Sequence, residues 1–206
     1  MCKFLVLVSV LVTALSSCAP QGTGEGKQVT FTGWAAPIEV KIYRGAFTRQ
    51  PDNRTLTMTG LAGEVLSAQA VVRSTGDIDQ LSGAMGTLSG PGGVSIPAEA
   101  VRVRFCGYVP VDETMTMTAD PLLEQPSVEV SANLAQPLWI TVAVPGDAAA
   151  GNYSGKFTAN ATPGGNVEFD VKLEVLPAVL APATDWKFYL NIWQDPAGAG
   201  RAHGVE

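Results

Sequence analysis

The chain has 206 residues, 13 basic and 19 acidic, for a net charge of −6. An acidic balance with no basic cluster repels phosphate backbones and anionic lipid heads, so no nucleic acid partner is expected. With a single histidine, His203 near the C-terminus, the chain has no placed imidazole for Ser-His-Asp or Cys-His hydrolysis and no ligands for a His-rich zinc site.

The first element is an export signal. Lys3 precedes the mainly apolar run Phe4 to Leu15, and Leu15-Ser16-Ser17-Cys18 follows, so residues 1–17 read as a signal peptide. The run is too short to span a bilayer as a permanent helix. The tetrapeptide resembles a lipobox, in which the cysteine thiol is acylated and the cysteine becomes the new N-terminus. Cys18 is therefore the expected lipid attachment, and cleavage after Ala19 is the alternative. An uncharged Ala19 beside a lipidated cysteine is similar to outer-membrane sorting in Gram-negative bacteria. The expected location is the bacterial cell envelope, lipid-anchored at the outer membrane. Removal of residues 1–17 leaves 12 basic and 19 acidic residues, net −7, and enough chain for one domain with a full core. With Cys2 discarded and Cys18 lipidated, Cys106 has no intramolecular partner, and packing must hold the fold.

Residues 18–28 are polar and Gly-rich and read as a flexible tether. From 29 to 176 the signal is period-two alternation, which puts apolar side chains on one face of a strand. Strand patterns lie at Ile38 to Arg44, Leu66 to Arg73, Val101 to Val109, Val128 to Ala132 and Leu138 to Val144. The clearest pair follows. Tyr153, Phe157, Ala159 and Ala161 share one face, as do Val167, Phe169, Val171, Leu173 and Val175, and Thr162-Pro163-Gly164-Gly165-Asn166 joins them as a hairpin. No helical period is sustained before Pro182. Many short strands with one apolar face must hide it against a second sheet, which predicts an all-β sandwich of two mainly antiparallel sheets.

Residues 177–185, with Pro177 and Pro182, read as a semi-rigid connector. Trp186 to Trp193 (WKFYLNIW) is apolar on both faces, as strands of doubly covered parallel sheets are. Asp195-Pro196 then offers an N-cap and a proline at the first helical position. Residues 186–206 thus read as the truncated start of a βα unit in a second domain, or as an extra edge strand of the sandwich with a tail.

Candidate chemistry is sparse. Asp112-Glu113 is the adjacent carboxylate pair that glycoside hydrolysis would need, but Pro110 ends the preceding strand and puts the pair in an exposed loop from Val111 to Thr118. Asp77-Ile78-Asp79 lacks the glycine and distal glutamate of a calcium loop and reads as a turn. No metal site and no cofactor are expected. Trp139 stands opposite the apolar face of Leu138, Ile140 and Val142, which makes it the candidate for stacking on a sugar or for meeting another domain; Trp193 is the second. Cys106 shares the outward face of its strand with Arg102, Arg104 and Tyr108, where cover by a neighbouring domain is expected.

Three stretches, Ala119 to Leu123 (ADPLL), Gln136 to Pro145 (QPLWITVAVP) and Asp147 to Gly155 (DAAAGNYSG), resemble the N-terminal sandwich domain of glycoside hydrolase family 123 and related bacterial proteins of unknown function. Phe188 to Pro196 (FYLNIWQDP) is similar to the segment where those proteins enter a catalytic (β/α)8 barrel, and the resemblance runs from Ile38 to the end. Family members are similar to β-N-acetylgalactosaminidases, in which the substrate's own acetamido oxygen attacks the anomeric carbon and a barrel Asp-Glu pair assists. None of the chain matching that pair is present, so no catalytic residue carries over. The resemblance implies an accessory domain of a membrane-anchored glycoside hydrolase, not catalytic by itself, with the missing barrel as partner and glycans as candidate ligands. A freestanding carbohydrate-binding lipoprotein and an immunoglobulin-like structural one are the alternatives.

Overall fold

The structure is a computed structural model that describes residues 29–45, 52–111 and 115–187. Those residues form twelve strands: β1 (Phe31–Ala36), β2 (Thr55–Ala62), β3 (Val65–Ser74), β4 (Ile78–Met85), β5 (Leu88–Ser89), β6 (Ser95–Ile96), β7 (Val101–Val111), β8 (Thr116–Leu123), β9 (Val128–Val130), β10 (Ala135–Ala143), β11 (Gly151–Thr162) and β12 (Gly165–Val179). The first sheet has the order β1-β3-β10-β7-β8 and the second β2-β12-β11-β4-β9, with β5 and β6 added at β11. The pairs are antiparallel except for β2 beside β12. The chain is therefore all-β with two sheets, as the alternation predicts.

The sheets close on each other through their inward side chains. Leu138, Ile140, Val142 and Phe105 of the first sheet face Phe157, Phe169, Val171 and Leu173 of the second in one cluster. Each such side chain, fully buried, contributes about 1.5–3 kcal/mol through removal of apolar surface from water. Phe157 and Phe169 meet with ring centroids 5.7 Å apart and planes tilted by 44°. The β1 backbone lies so near them that a Cβ on Gly33 would stand 2.8 Å from Phe169 Cζ. Only glycine allows that approach.

Several expectations need correction. Ile38 to Arg44 is no strand, since the segment makes turns and joins a sheet only through one bridge, Tyr43 to Thr118. Pro37, which has no N–H to donate, marks the end of β1. The next residues fold over the outer face of the first sheet, where Gln69 Nε2 donates to the carbonyls of Pro37 (2.9 Å) and Val40 (3.2 Å). The Ala135 N–H binds the Arg44 carbonyl at 3.0 Å. Under this strap Trp34, Ile42, Val71 and Ala135 form a second, smaller core.

Pro110 does not end its strand. β7 continues to Val111 and β8 starts at Thr116, so much of the expected exposed loop is paired sheet. Only Val101 to Phe105 pair with β10, so the missing N–H of Pro110 breaks no ladder on that side. Strand β12 likewise runs through Pro177 to Val179, with a bulge between Leu176 and Val179, where a connector was expected. The truncated βα start is not supported. Ala183–Asp185 is one 3-10 turn, and Trp186 is exposed with its indole N–H on the Ala181 carbonyl at 2.8 Å. Residues 188–206 lie outside the described residues.

Candidate interface on the outer face of the first sheet

Among the described residues, the strap of residues 37–45 covers only part of the first sheet. The uncovered part is built by the registers of β3, β10 and β7. Trp139 stands opposite Gln69 on one side and Arg104 on the other, Thr141 opposite Ser67 and Arg102, and Ala143 opposite Val65. All of these point away from the core because Leu138, Ile140 and Val142 point into it. The Trp139 indole N–H donates to Ser67 Oγ at 3.2 Å, and Arg104 Nη2 donates to Thr141 Oγ1 at 3.2 Å. Glu124 lies within 2.6 Å of Arg102 and 3.7 Å of Arg104, so one carboxylate bridges two guanidinium groups. Arg104 Nε is buried without a hydrogen-bond partner. A groove of about 660 Å³ runs from Trp139 across Ser67 and Gln69 to Glu64 and Thr57. It opens where β1 has stopped. Among the described residues no strand pairs with Val65 to Ala68 on that side.

This surface can stack and hydrogen-bond. Most glycoside hydrolases use a pair of carboxyl groups flanking the scissile bond, and the carboxylates here are Glu39 and Glu64 at the groove and Glu124 beside the arginines. Glu124 is held by two arginines, and Glu64 Oε2 accepts the Leu61 N–H at 2.8 Å.

Cys106 and Tyr108 lie farther along the same outer face. Cys106 is buried by its own domain, with Leu123, Gln125, Val128 and Arg44 among the residues around it, and no second domain is needed to cover it. Burial pushes its pKa up to about 11 despite the opposing charge of Arg104, so at neutral pH it is an inert thiol. Burial raises the Tyr108 pKa too, with Cys106 adding to the effect and Arg44 opposing it. The Tyr108 hydroxyl donates to the Ala135 carbonyl at 3.1 Å, and the Arg44 guanidinium stands 5.5 Å over its ring. This cluster fastens the strap.

Asp77 has a structural use, since its Oδ1 accepts the Ala132 N–H at 2.7 Å and ties the end of β9 to the start of β4. Among the described residues no group of three His, Cys, Asp or Glu could hold a metal ion. Cys18, Asp112-Glu113, Trp193 and His203 lie outside the described residues. Ser67, Thr141 and Glu124 were not anticipated as neighbours of Trp139. Their signal is a polar residue at an outward position of an apolar strand, visible for Ser67 and Thr141 once the register is known.

Comparison with known proteins follows the architecture. The family described as glycoside hydrolase 123 N-terminal domain matches residues 43–161, from the bridge at Tyr43 to the end of β11. A family 123 glycoside hydrolase from Clostridium perfringens, solved for the details of glycolipid glycan hydrolysis, has a similar fold with a TM-score of 0.70. Identity is 14%, over 85% of this chain and 32% of that one, so the chain spans about a third of the enzyme's length. PapD-like domain 7 of human CEP192 is more distant, with a TM-score of 0.42 at 15% identity over 84% of this chain and 98% of that one. Comparison with curated proteins returns no match. Since the family match spans more than half of its residues, the chain belongs to the glycoside hydrolase 123 N-terminal domain family.

Proposed function

We propose that this sandwich is the accessory domain of a membrane-anchored glycoside hydrolase similar to β-N-acetylgalactosaminidases, and that it hydrolyses nothing by itself. The carrying observation is the family match, joined to a fold shared with about a third of a hydrolase that acts on glycolipid glycans. The site chemistry supports the same reading, because the described part of the outer face offers an indole, two arginines and hydroxyls, with Glu124 held by both arginines and Glu64 accepting the Leu61 N–H. In this reading a lipid on Cys18 and the tether of residues 18–28 hold a catalytic (β/α)8 barrel close to the outer membrane, where glycans arrive. The sandwich steadies and orients the barrel. Purified Cys18 to Glu206 should not turn over an aryl N-acetylgalactosaminide, and measurable turnover would overturn the proposal. Palmitate labelling in cells should vanish in Cys18→Ala.

A second reading, direct glycan binding, is favoured by the position of Trp139 in the groove. Calorimetry against N-acetylgalactosamine-containing glycans supports it if heat is released and Trp139→Ala abolishes it.

A further inference from the structure

Strand β1 leaves the edge of the first sheet early. It stops at Ala36, opposite Gln69, while its partner β3 reaches beyond it to Val65. The ladder bonds fix which backbone groups are left over. The Thr75 N–H binds the Thr30 carbonyl at 3.0 Å, and bonded positions recur at every second residue, so odd-numbered residues of β3 turn their N–H and C=O toward β1. Even-numbered ones turn toward β10, where the Val144 N–H binds the Glu64 carbonyl at 2.9 Å. Ser67 and Val65 therefore aim a row of donors and acceptors at the space where β1 would have continued. Among the described residues no strand takes them up. That space is the groove beside Trp139. The Ala35 N–H closes one end on the Asn53 carbonyl at 2.7 Å, and Glu64, in the turn to β3, stands at the other. Leu56 and Met58 of β2 and Leu66 and Ala68 of β3, all inward residues, line its floor. The charged residues of its lining are Glu39 and Glu64, and none is basic.

We propose that this groove takes an extended segment of another polypeptide as an added antiparallel strand beside Val65 to Ala68, and that the segment alternates basic with apolar residues. Main-chain bonds to Val65 and Ser67 supply the pairing, as in other additions of a strand to an open sheet edge. The alternation follows from the pleat. Residues of the segment opposite Leu66 and Ala68 point inward, onto Leu56 and Met58, and apolar side chains there remove surface from water. Residues opposite Val65 and Ser67 point outward. There the Trp139 indole, held on Ser67 Oγ at 3.2 Å, offers its ring to the stem and charge of a lysine or arginine, and Glu39 and Glu64 offer the counter-charge. The open edge, residues 65–68, is about 13 Å long at the rise of a strand, which sets the length of the paired segment. A second copy of this chain fits less well, because its net charge is −6 and neither β2 nor residues 65–68 carry a base. A row of main-chain groups at strand spacing favours a polypeptide over a glycan. The proposal stands whether or not the intact protein is a hydrolase.

Titration of acetyl-Lys-Val-Lys-Val-Lys-amide into the isotope-labelled chain from Cys18 to Glu206, followed by nuclear magnetic resonance, tests it. The amide signals of Val65 and Ser67 and the indole signal of Trp139 should shift, and the two amides should exchange with water about tenfold more slowly at saturation. Methylation of the peptide nitrogens at the lysines, whose N–H groups pair with Val65 and Ser67, should abolish these changes, whereas methylation at the valines should not. The same peptide with glutamate for lysine should bind more weakly, and Glu39→Gln together with Glu64→Gln should weaken the lysine peptide about fivefold. Glutamine at position 64 keeps an acceptor for the Leu61 N–H, so that loss reads the charge and not the fold. No response to the lysine peptide, or equal binding of its glutamate or lysine-methylated forms, overturns the proposal. So does slow exchange of the Val65 and Ser67 amides before any peptide is added, which would assign the edge to this chain itself or, where it grows with protein concentration, to a second copy. Shifts produced by an N-acetylgalactosamine oligosaccharide and not by the peptide would assign the groove to a glycan and overturn it as well.

Discussion

On the outer face of the second sheet, β12 presents Glu168, Asp170, Lys172 and Glu174 to water, and β11 presents Ser154, Lys156 and Asn160. On the outer face of the first sheet, comparable outward positions hold Trp34, Gln69, Val71, Cys106 and Ala135, all buried. The difference lies in what covers each face. Water covers the second sheet, so every other residue can be charged at no desolvation cost. The strap of residues 37–45 covers half of the first sheet, so outward positions there become a second core. Any polar group placed in that core, such as the Gln69 amide, must find partners.

Substitutions can break or sharpen this contrast. Trp34→Ala should cost about 3 kcal/mol in urea denaturation, at the low end for a buried aromatic because the strap can partly collapse into the space. A cost no larger than that of an exposed residue would show that the strap is not part of the folded core. Gln69→Leu keeps the size but removes both amide bonds to the strap, and should cost about 1 kcal/mol. Limited proteolysis should then cut within residues 37–45 sooner than in the unaltered protein.

Alkali tests the same face through Cys106. The folded protein keeps the thiol protonated up to about pH 11, whereas an unperturbed thiol ionises near 9.0. Between these values the unfolded chain has released the proton and the folded one has not. The contribution is fully present below pH 9 and is lost as pH rises through 11. Tyr108 acts with the same sign. Denaturation midpoints should therefore fall over that window, and Cys106→Ala should make the fall shallower; an unchanged slope would mean that the thiol is solvated. The smallest effect belongs to the second sheet. Lys156 lies 2.7 Å from Asp170, but both side chains are more than half exposed, and Lys156→Ala should leave the melting temperature unchanged within error at moderate salt.

The same contrast explains which strands the sequence reveals. Strands β11 and β12 alternate cleanly because one face is dry and the other wet. β10 and β7 are legible from Leu138, Ile140 and Val142 and from Val101, Val103 and Phe105. Six strands are hidden, two of them, β5 and β6, because each is only two residues long. In β2 the inward positions after Leu56 and Met58 are Gly60 and Ala62, too small to mark a face. In β4 an irregularity puts the inward residues Ile78 and Leu81 three apart instead of two. In β8 the register shifts where Asp120 and Pro121 oppose the single residue Gly107, and proline suggests a loop. In β1 the inward residue Gly33 has no side chain to show. The false strand at Ile38 to Arg44 has the opposite origin, since its apolar residues alternate but only Ile42 is buried, beneath the strap.

Of the candidate interface, the outward direction of Trp139 is legible, but its company is not. Ser67 lies 72 residues away in the chain, and Arg104 bonds Thr141 across 37 residues. Side-chain alternation is a property of a single strand, so the sequence by itself determines the all-β class and the inward faces of the best strands. Which strands lie side by side, the parallel placement of β2 against β12, and which half of the first sheet is left uncovered depend on contacts between distant segments. Those contacts exist only once the sheets have closed on each other.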